Sequence, residues 1–142
     1  MHVFTYGSLM FSEVWQTVVG REFATVEGTV AGYSIYRVRD AVYPGIIAAA
    51  DECVVRGLVY LDVDAASLAR LDRFEDDFYD RQSLSIDCSD GQRRAADAYV
   101  VPAKYRRVLT AEPWDAAWFV SSGGLEDFIR RFQGFSRLGG EG

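Results

Sequence analysis

The hydrophobic and polar positions of this chain change rhythm several times, and each change marks an element. Val3, Phe4, Thr5 and Tyr6 form a short β-prone run, which predicts a first, central strand ending at Gly7-Ser8. Ser12 then reads as the cap of a helix with Val14, Trp15, Val18 and Val19 on its apolar face and Gly20 at its end. From Glu22 to Arg39 the pattern is strand-like, and Gly28 and Gly32 supply the bends or bulges that a strongly curved sheet needs. Pro44-Gly45 reads as a turn ahead of the apolar run that follows. In "CVVRGLVYLDVD", Val55, Val59 and Leu61 alternate against Arg56, Tyr60 and Asp62, a strand bent at Gly57.

At Asp64 the period lengthens from two to about 3.6, which predicts a helix capped by Asp64 with Leu68, Leu71 and Phe74 on one side. Two strands follow, Gln82 to Cys88 and Arg93 to Val101, joined around Asp90-Gly91 and closed by Pro102. The next stretch is irregular and aromatic through Trp114 and Trp118, whose segment up to Phe119 is read as core packing. A helix then carries Leu125, Phe128, Ile129 and Phe132 at i, i+3, i+4 and i+7, with Gly134 as its end and residues 136–142 as a loose tail. About six strands with two or three helices, in neither a βαβα nor an all-β order, point to an α+β domain. Its expected form is a small mixed, strongly curved β-barrel with flanking helices.

A length of 142 residues, about half of them apolar and a quarter charged, fits one globular domain over residues 1–142. The net charge of -6 sets nucleic acid and anionic membranes aside as partners and leaves a small molecule. No apolar stretch reaches the ~18 residues that a bilayer span needs, and no basic-then-apolar leader opens the chain, so the expected location is cytoplasmic. Cys53 and Cys88 lie in strand-like stretches without CxxC spacing and read as buried free thiols. The single histidine, His2, is read as a mobile terminal residue, which argues against metal sites and against Ser-His or Cys-His pairs. No metal and no cofactor is expected, and the sequence sets no oligomeric state.

Two features remain as candidate chemistry. At 100° per residue, Glu75 falls between Leu68 and Leu71 on the helix after Asp64, inside the apolar arc, while Asp76 and Asp77 rotate toward solvent. A buried carboxyl is raised in pKa by desolvation, and Asp72, Asp76 and Asp80 add to that, which makes Glu75 a candidate general base. The competing reading ends the helix at Phe74 and leaves Glu75 partly exposed, or paired with Arg73 or Arg81. The second feature is Tyr6-Gly7-Ser8-Leu9: either a plain strand end, or a turn whose glycine lets backbone amides approach a ligand and form an anion-binding concavity. It is no nucleophile elbow, since glycine flanks Ser8 on one side only, and no phosphate loop, since the lysine is missing.

"VFTYGSLM" near the N-terminus, with "LDRFEDDFYDR" after the "GLVYLDVD" strand, resembles the γ-glutamylcyclotransferase family, especially its avirulence-induced-gene-like branch. "VYPGI", "AYVV" and a late tryptophan- and phenylalanine-bearing helical region extend the likeness over nearly the whole chain. The resemblance implies a cavity in which a loop of Tyr6, Gly7, Ser8 and Leu9, with Thr5 and Met10 at its edges, holds a γ-glutamyl group opposite an essential glutamate, here Glu75. Tyr79 matches a motif tyrosine near the pocket. The implied activity releases 5-oxoproline and a free amine; the alternative is a non-catalytic ligand-binding or interaction domain on the same fold.

Overall fold

The structure, a computed structural model, describes residues 1–130; the residues expected to end the last helix (Phe132, Gly134) and the tail at 136–142 lie outside the described residues. Eight strands form one mixed sheet: β1 (Val3–Thr5), β2 (Thr25–Ala31), β3 (Tyr33–Val38), β4 (Pro44–Ala48), β5 (Val54–Tyr60), β6 (Asp80–Cys88), β7 (Arg93–Val100) and β8 (Leu109–Pro113). Helices α1 (Ser12–Val18), α2 (Ala65–Phe74) and α3 (Ala116–Ser121) flank it. Residues 124–130 are also helical and are here α4.

The sheet runs β1-β5-β2-β6-β7-β4-β3-β8, and a further β1–β7 pairing closes its first five strands into a ring. Closure depends on tight curvature where β2 crosses β5. There Gly28 and Gly57 are directly paired, and a Cβ on Gly57 would sit 2.1 Å from the Thr5 carbonyl oxygen. Side chains alternate across the ring wall. Phe4, Ile86 and Ala98 fill the barrel, whereas Val3, Tyr60 and Tyr99 face outward to the helices. The outer layer is held by Leu71 and Val18, both fully buried, and by Trp15 stacked on Tyr60 at 3.6 Å. Among the described residues, no helix is long and apolar enough to cross a membrane.

Strand β7 changes its neighbour along its length, and this makes the opening for the site. It pairs in parallel with β1 at Val3–Asp97 and with β4 at Ile46–Val100. Between these points β1 peels away, and the chain turns through a 3-10 segment at Ser8–Met10.

Several sequence expectations are corrected. Pro44-Gly45 is no turn but the start of β4: a proline at the first strand position gives up no ladder hydrogen bond, and Gly45 makes room for Val101. The strand-like stretch from Glu22 to Arg39 is two strands folded at Gly32, and the irregular aromatic segment contains β8 and α3. With these, the described residues hold eight strands where about six were expected. Ser12 is the first residue inside α1, not its cap; Phe11 holds the cap position without a side-chain bond. Asp64 does cap α2, its carboxylate accepting from the Ser67 amide at 3.3 Å and the Ser67 hydroxyl at 2.6 Å. Cys88 is buried, but Cys53 sits half-buried in the turn before β5. His2 is held rather than mobile, since its Nδ1 accepts from the Asp62 amide at 3.1 Å. Trp114 and Phe119 are core as expected, whereas Trp118 is 42% exposed.

Candidate active site

A cavity of about 300 Å³ opens where β1 and β4 diverge along β7. Its floor is the end of β1 and the turn after it, its roof the end of α2, and one wall the aromatic pair Tyr43 and Phe128. Thr5, Tyr6, Gly7, Ser8, Leu9, Glu75 and Tyr79 all border it. Met10 does not: it faces a second, more open groove beside Trp114.

Gly7 is required by space. A Cβ there would lie 2.6 Å from Cγ of Pro44, so the proline ring occupies the side on which a side chain would project. The amides of Gly7, Ser8 and Leu9 donate to no protein acceptor among the described residues, because the first intrasegment bonds start at Met10 and Phe11. Three neighbouring donors thus border the cavity. The Ser8 hydroxyl likewise has no hydrogen-bond partner there, whereas Thr5 spends its hydroxyl on the Leu58 carbonyl at 2.9 Å. Tyr60 donates to the Leu9 carbonyl at 2.9 Å and fixes the far end of the turn.

Two tyrosines satisfy backbone groups beside the strand exchange. Tyr6 donates its hydroxyl to the Tyr99 carbonyl at 2.6 Å, and Tyr79 donates to the Pro44 carbonyl. Burial first, and then a neighbouring carboxylate or phenol, holds both phenols well above their ordinary pKa. They are neutral walls of the cavity.

The α2 helix ends at Phe74, as the competing sequence reading had it, and Glu75 is its C-cap with an extended backbone (φ -73, ψ 146). The chain turns there and Glu75 is half-buried, as that reading also expected, but it borders the cavity instead of pairing with Arg73 or Arg81. No ion pair or hydrogen bond engages it among the described residues, and desolvation, aided by Asp76 and Asp72, pushes its pKa up to about 8. Asp80 takes no part; it accepts from Gln82 on β6. Asp76 is exposed, as expected of a solvent-facing acid, and it also borders the cavity and accepts from the Tyr43 hydroxyl at 2.6 Å.

Sequence reasoning missed Tyr43, Phe74, Tyr99 and Phe128 as lining residues. Tyr43 and Tyr99 lie inside the quoted "VYPGI" and "AYVV" runs and were open to discovery there. Phe128, at 3% exposure, looks like any core residue on an amphipathic helix, and nothing in its spacing marks it as a cavity wall.

A mixed sheet closing into a barrel with flanking helices is the γ-glutamylcyclotransferase-like fold. A yeast γ-glutamyl cyclotransferase specific to glutathione shares it with a TM-score of 0.62 at 10% identity, over 79% of this chain and 73% of that one. An Arabidopsis thaliana protein solved in solution matches with a TM-score of 0.69 at 27% identity, over 92% of this chain and 87% of that one. Residues 3–116 match the γ-glutamyl cyclotransferase, AIG2-like family, and the chain belongs to it. AIG2-like protein C of Arabidopsis thaliana is 31% identical over 114 residues, 80% of this chain and 65% of the relative. AIG2-like protein D of the same plant is 34% identical over 87 residues, 61% of this chain and 57% of the relative. The chain spans under two thirds of the length of these curated relatives.

Proposed function

We propose that the protein is a γ-glutamylcyclotransferase that splits a γ-glutamyl amide into 5-oxoproline and a free amine, with Glu75 as its acid and base. The observation that carries this reading is one unpaired, desolvated carboxyl bordering the same cavity as the amides of Gly7, Ser8 and Leu9.

Such a substrate brings its own nucleophile. The α-amine attacks the γ-carbonyl carbon, a C–N bond forms to close a five-membered lactam, and the C–N bond to the leaving amine breaks. Intramolecular attack reaches effective molarities of about 10⁵ M or more, so neither a nucleophilic side chain nor a metal is needed. Glu75 takes the proton of the α-ammonium and returns one to the departing nitrogen, a role worth on the order of 10² to 10⁴-fold. A pKa of about 8 suits both halves, because it lies close to that of the amines on either side of the transfer. An entering ammonium also supplies the positive charge that the site lacks and favours ionisation of Glu75 at the moment of binding. The loop amides, with Ser8, hold the substrate's carboxylate or the developing oxyanion. Thr5 and Tyr79 keep the frame, and Met10 has no place in this mechanism. A cytoplasmic small-molecule amide is the substrate class that fits.

Incubation with a panel of γ-glutamyl amino acids and γ-glutamyl amines tests this, with 5-oxoproline followed by mass spectrometry. Release from at least one compound is expected, with on the order of 10²-fold or greater loss in Glu75→Gln. Binding that raises the melting temperature without any turnover would instead favour a non-catalytic ligand-binding domain.

A further inference from the structure

Glu75 sits at the end of a helix that is itself held by a charged cluster on the barrel wall. Arg81 and Tyr99 are directly opposed across β6 and β7, and Asp97 lies two residues from Tyr99 on the same strand and face. Alanines at 96 and 98 take the barrel side of β7, which leaves Asp97 and Tyr99 toward the helices. The Tyr99 hydroxyl donates to Asp72 Oδ1 at 2.7 Å, and Arg81 Nε lies 3.4 Å from the same oxygen. Arg81 Nη1 is 3.4 Å from Asp97 Oδ2. One guanidinium therefore serves two carboxylates.

We propose that Asp72 is a positioning residue for Glu75: clamped by Tyr99 and Arg81, it fixes the helix end that carries Glu75 and sets the field that the Glu75 carboxyl feels. Asp72 precedes Glu75 by three residues, close to one helical turn. The other groups facing Glu75 are Asp76 beside it, Tyr43 ahead of β4, Tyr6 just after β1, Tyr79 ahead of β6 and Tyr99 from β7. Tyr6, Tyr79 and Tyr99 are kept protonated, by burial above all, so Asp72 and Asp76 supply the negative charge. Arg81, half-occupied by Asp97, leaves part of the Asp72 charge unbalanced.

This inference rests on the cyclisation reading, and its distinguishing feature is sign. Asp72→Asn and Arg81→Met break the same cluster and both loosen the helix end. They move Glu75 in opposite directions: removing the negative charge eases its ionisation, and removing the positive charge hinders it. The test is a pH titration of side-chain carboxyls by NMR on the full chain labelled with ¹³C-glutamate, Glu75 being identified by its absence from Glu75→Gln. The wild-type midpoint is expected near 8, with a fall of about half a pH unit or more in Asp72→Asn, a rise of similar size in Arg81→Met and near-wild-type behaviour in Arg81→Lys. The lower limb of kcat/KM against pH should follow the same order. Unchanged midpoints, or equal displacement in both variants, overturn the proposal. If Asp72→Asn fails to fold, a midpoint in Arg81→Met no higher than in Arg81→Lys overturns it alone. Midpoints displaced as stated, with no 5-oxoproline formed by wild type, would uphold the positioning of Glu75 and sink the cyclisation reading.

Discussion

Replacing Glu75 by glutamine should stabilise the protein, and increasingly so as the pH rises. The carboxyl has an ordinary pKa of 4.5 and is held at about 8 in the folded chain. Its folded pKa is raised, so below the unfolded value both states carry the proton and the group costs nothing. As pH climbs from 4.5 toward 8 the unfolded chain releases that proton while the folded one retains it, and stability is lost throughout this window. Above about 8 the loss is complete. For a sealed carboxyl the total would be on the order of 5 kcal/mol. One side of Glu75 faces a cavity that admits solvent, so screening cuts this, and the gain of Glu75→Gln over wild type should grow by about 2 kcal/mol between pH ~5.5 and ~8.5. With a urea m-value of about 2 kcal/mol/M, that is a midpoint difference widening by ~1 M. Urea unfolding of both proteins at the two pH values measures it. A difference that stays flat with pH, or a variant less stable at the higher value, would show that Glu75 is not desolvated in the folded state.

The neighbouring contacts give further expectations. Gly7→Ala drives a Cβ into the Pro44 ring and should cost about 1 to 3 kcal/mol by thermal unfolding, while the double change with Pro44→Ala should cost less than the sum of its parts. Gly57→Ala, aimed at the Thr5 carbonyl, should be worse and lower soluble yield, since backbone cannot step aside as a ring can. Tyr6→Phe strips the Tyr99 carbonyl of its hydroxyl donor and should destabilise by about 1 to 2 kcal/mol without moving the pH midpoint of turnover by much, a split that chemical denaturation and kinetics read separately.

What the sequence disclosed depended on the range of the interaction involved. Asp64 and its helix, and the hairpin with Asp90-Gly91 at its turn, rest on contacts between residues close in the chain, and both formed as expected. The Gly28 and Gly57 bends were legible because a glycine within a β pattern has few other uses; that the two face each other was not. Pro44-Gly45 misled because proline and glycine punctuate loops, yet here they begin a strand that pairs with the nearby Arg37 and Tyr36 and is tied, at Ile46, to the distant Val100. The same holds for the site. Periodicity placed Glu75 on the buried side of its helix, and although the helix stops one residue short, the carboxyl is desolvated all the same. The exchange of β1 for β4 along β7, which opens the cavity, involves pairings of distant segments and left no local trace.

The central claim is that the substrate's own amine displaces the leaving amine, with Glu75 moving the proton. The most direct measurement runs the reaction of the best γ-glutamyl amide in H₂¹⁸O and weighs the products. The account predicts 5-oxoproline without ¹⁸O, in equal amount to the free amine, and almost none of either from Glu75→Gln. Glutamate carrying ¹⁸O would mean that water is the nucleophile, and undiminished turnover in Glu75→Gln would mean that the proton travels by another group; either result contradicts it.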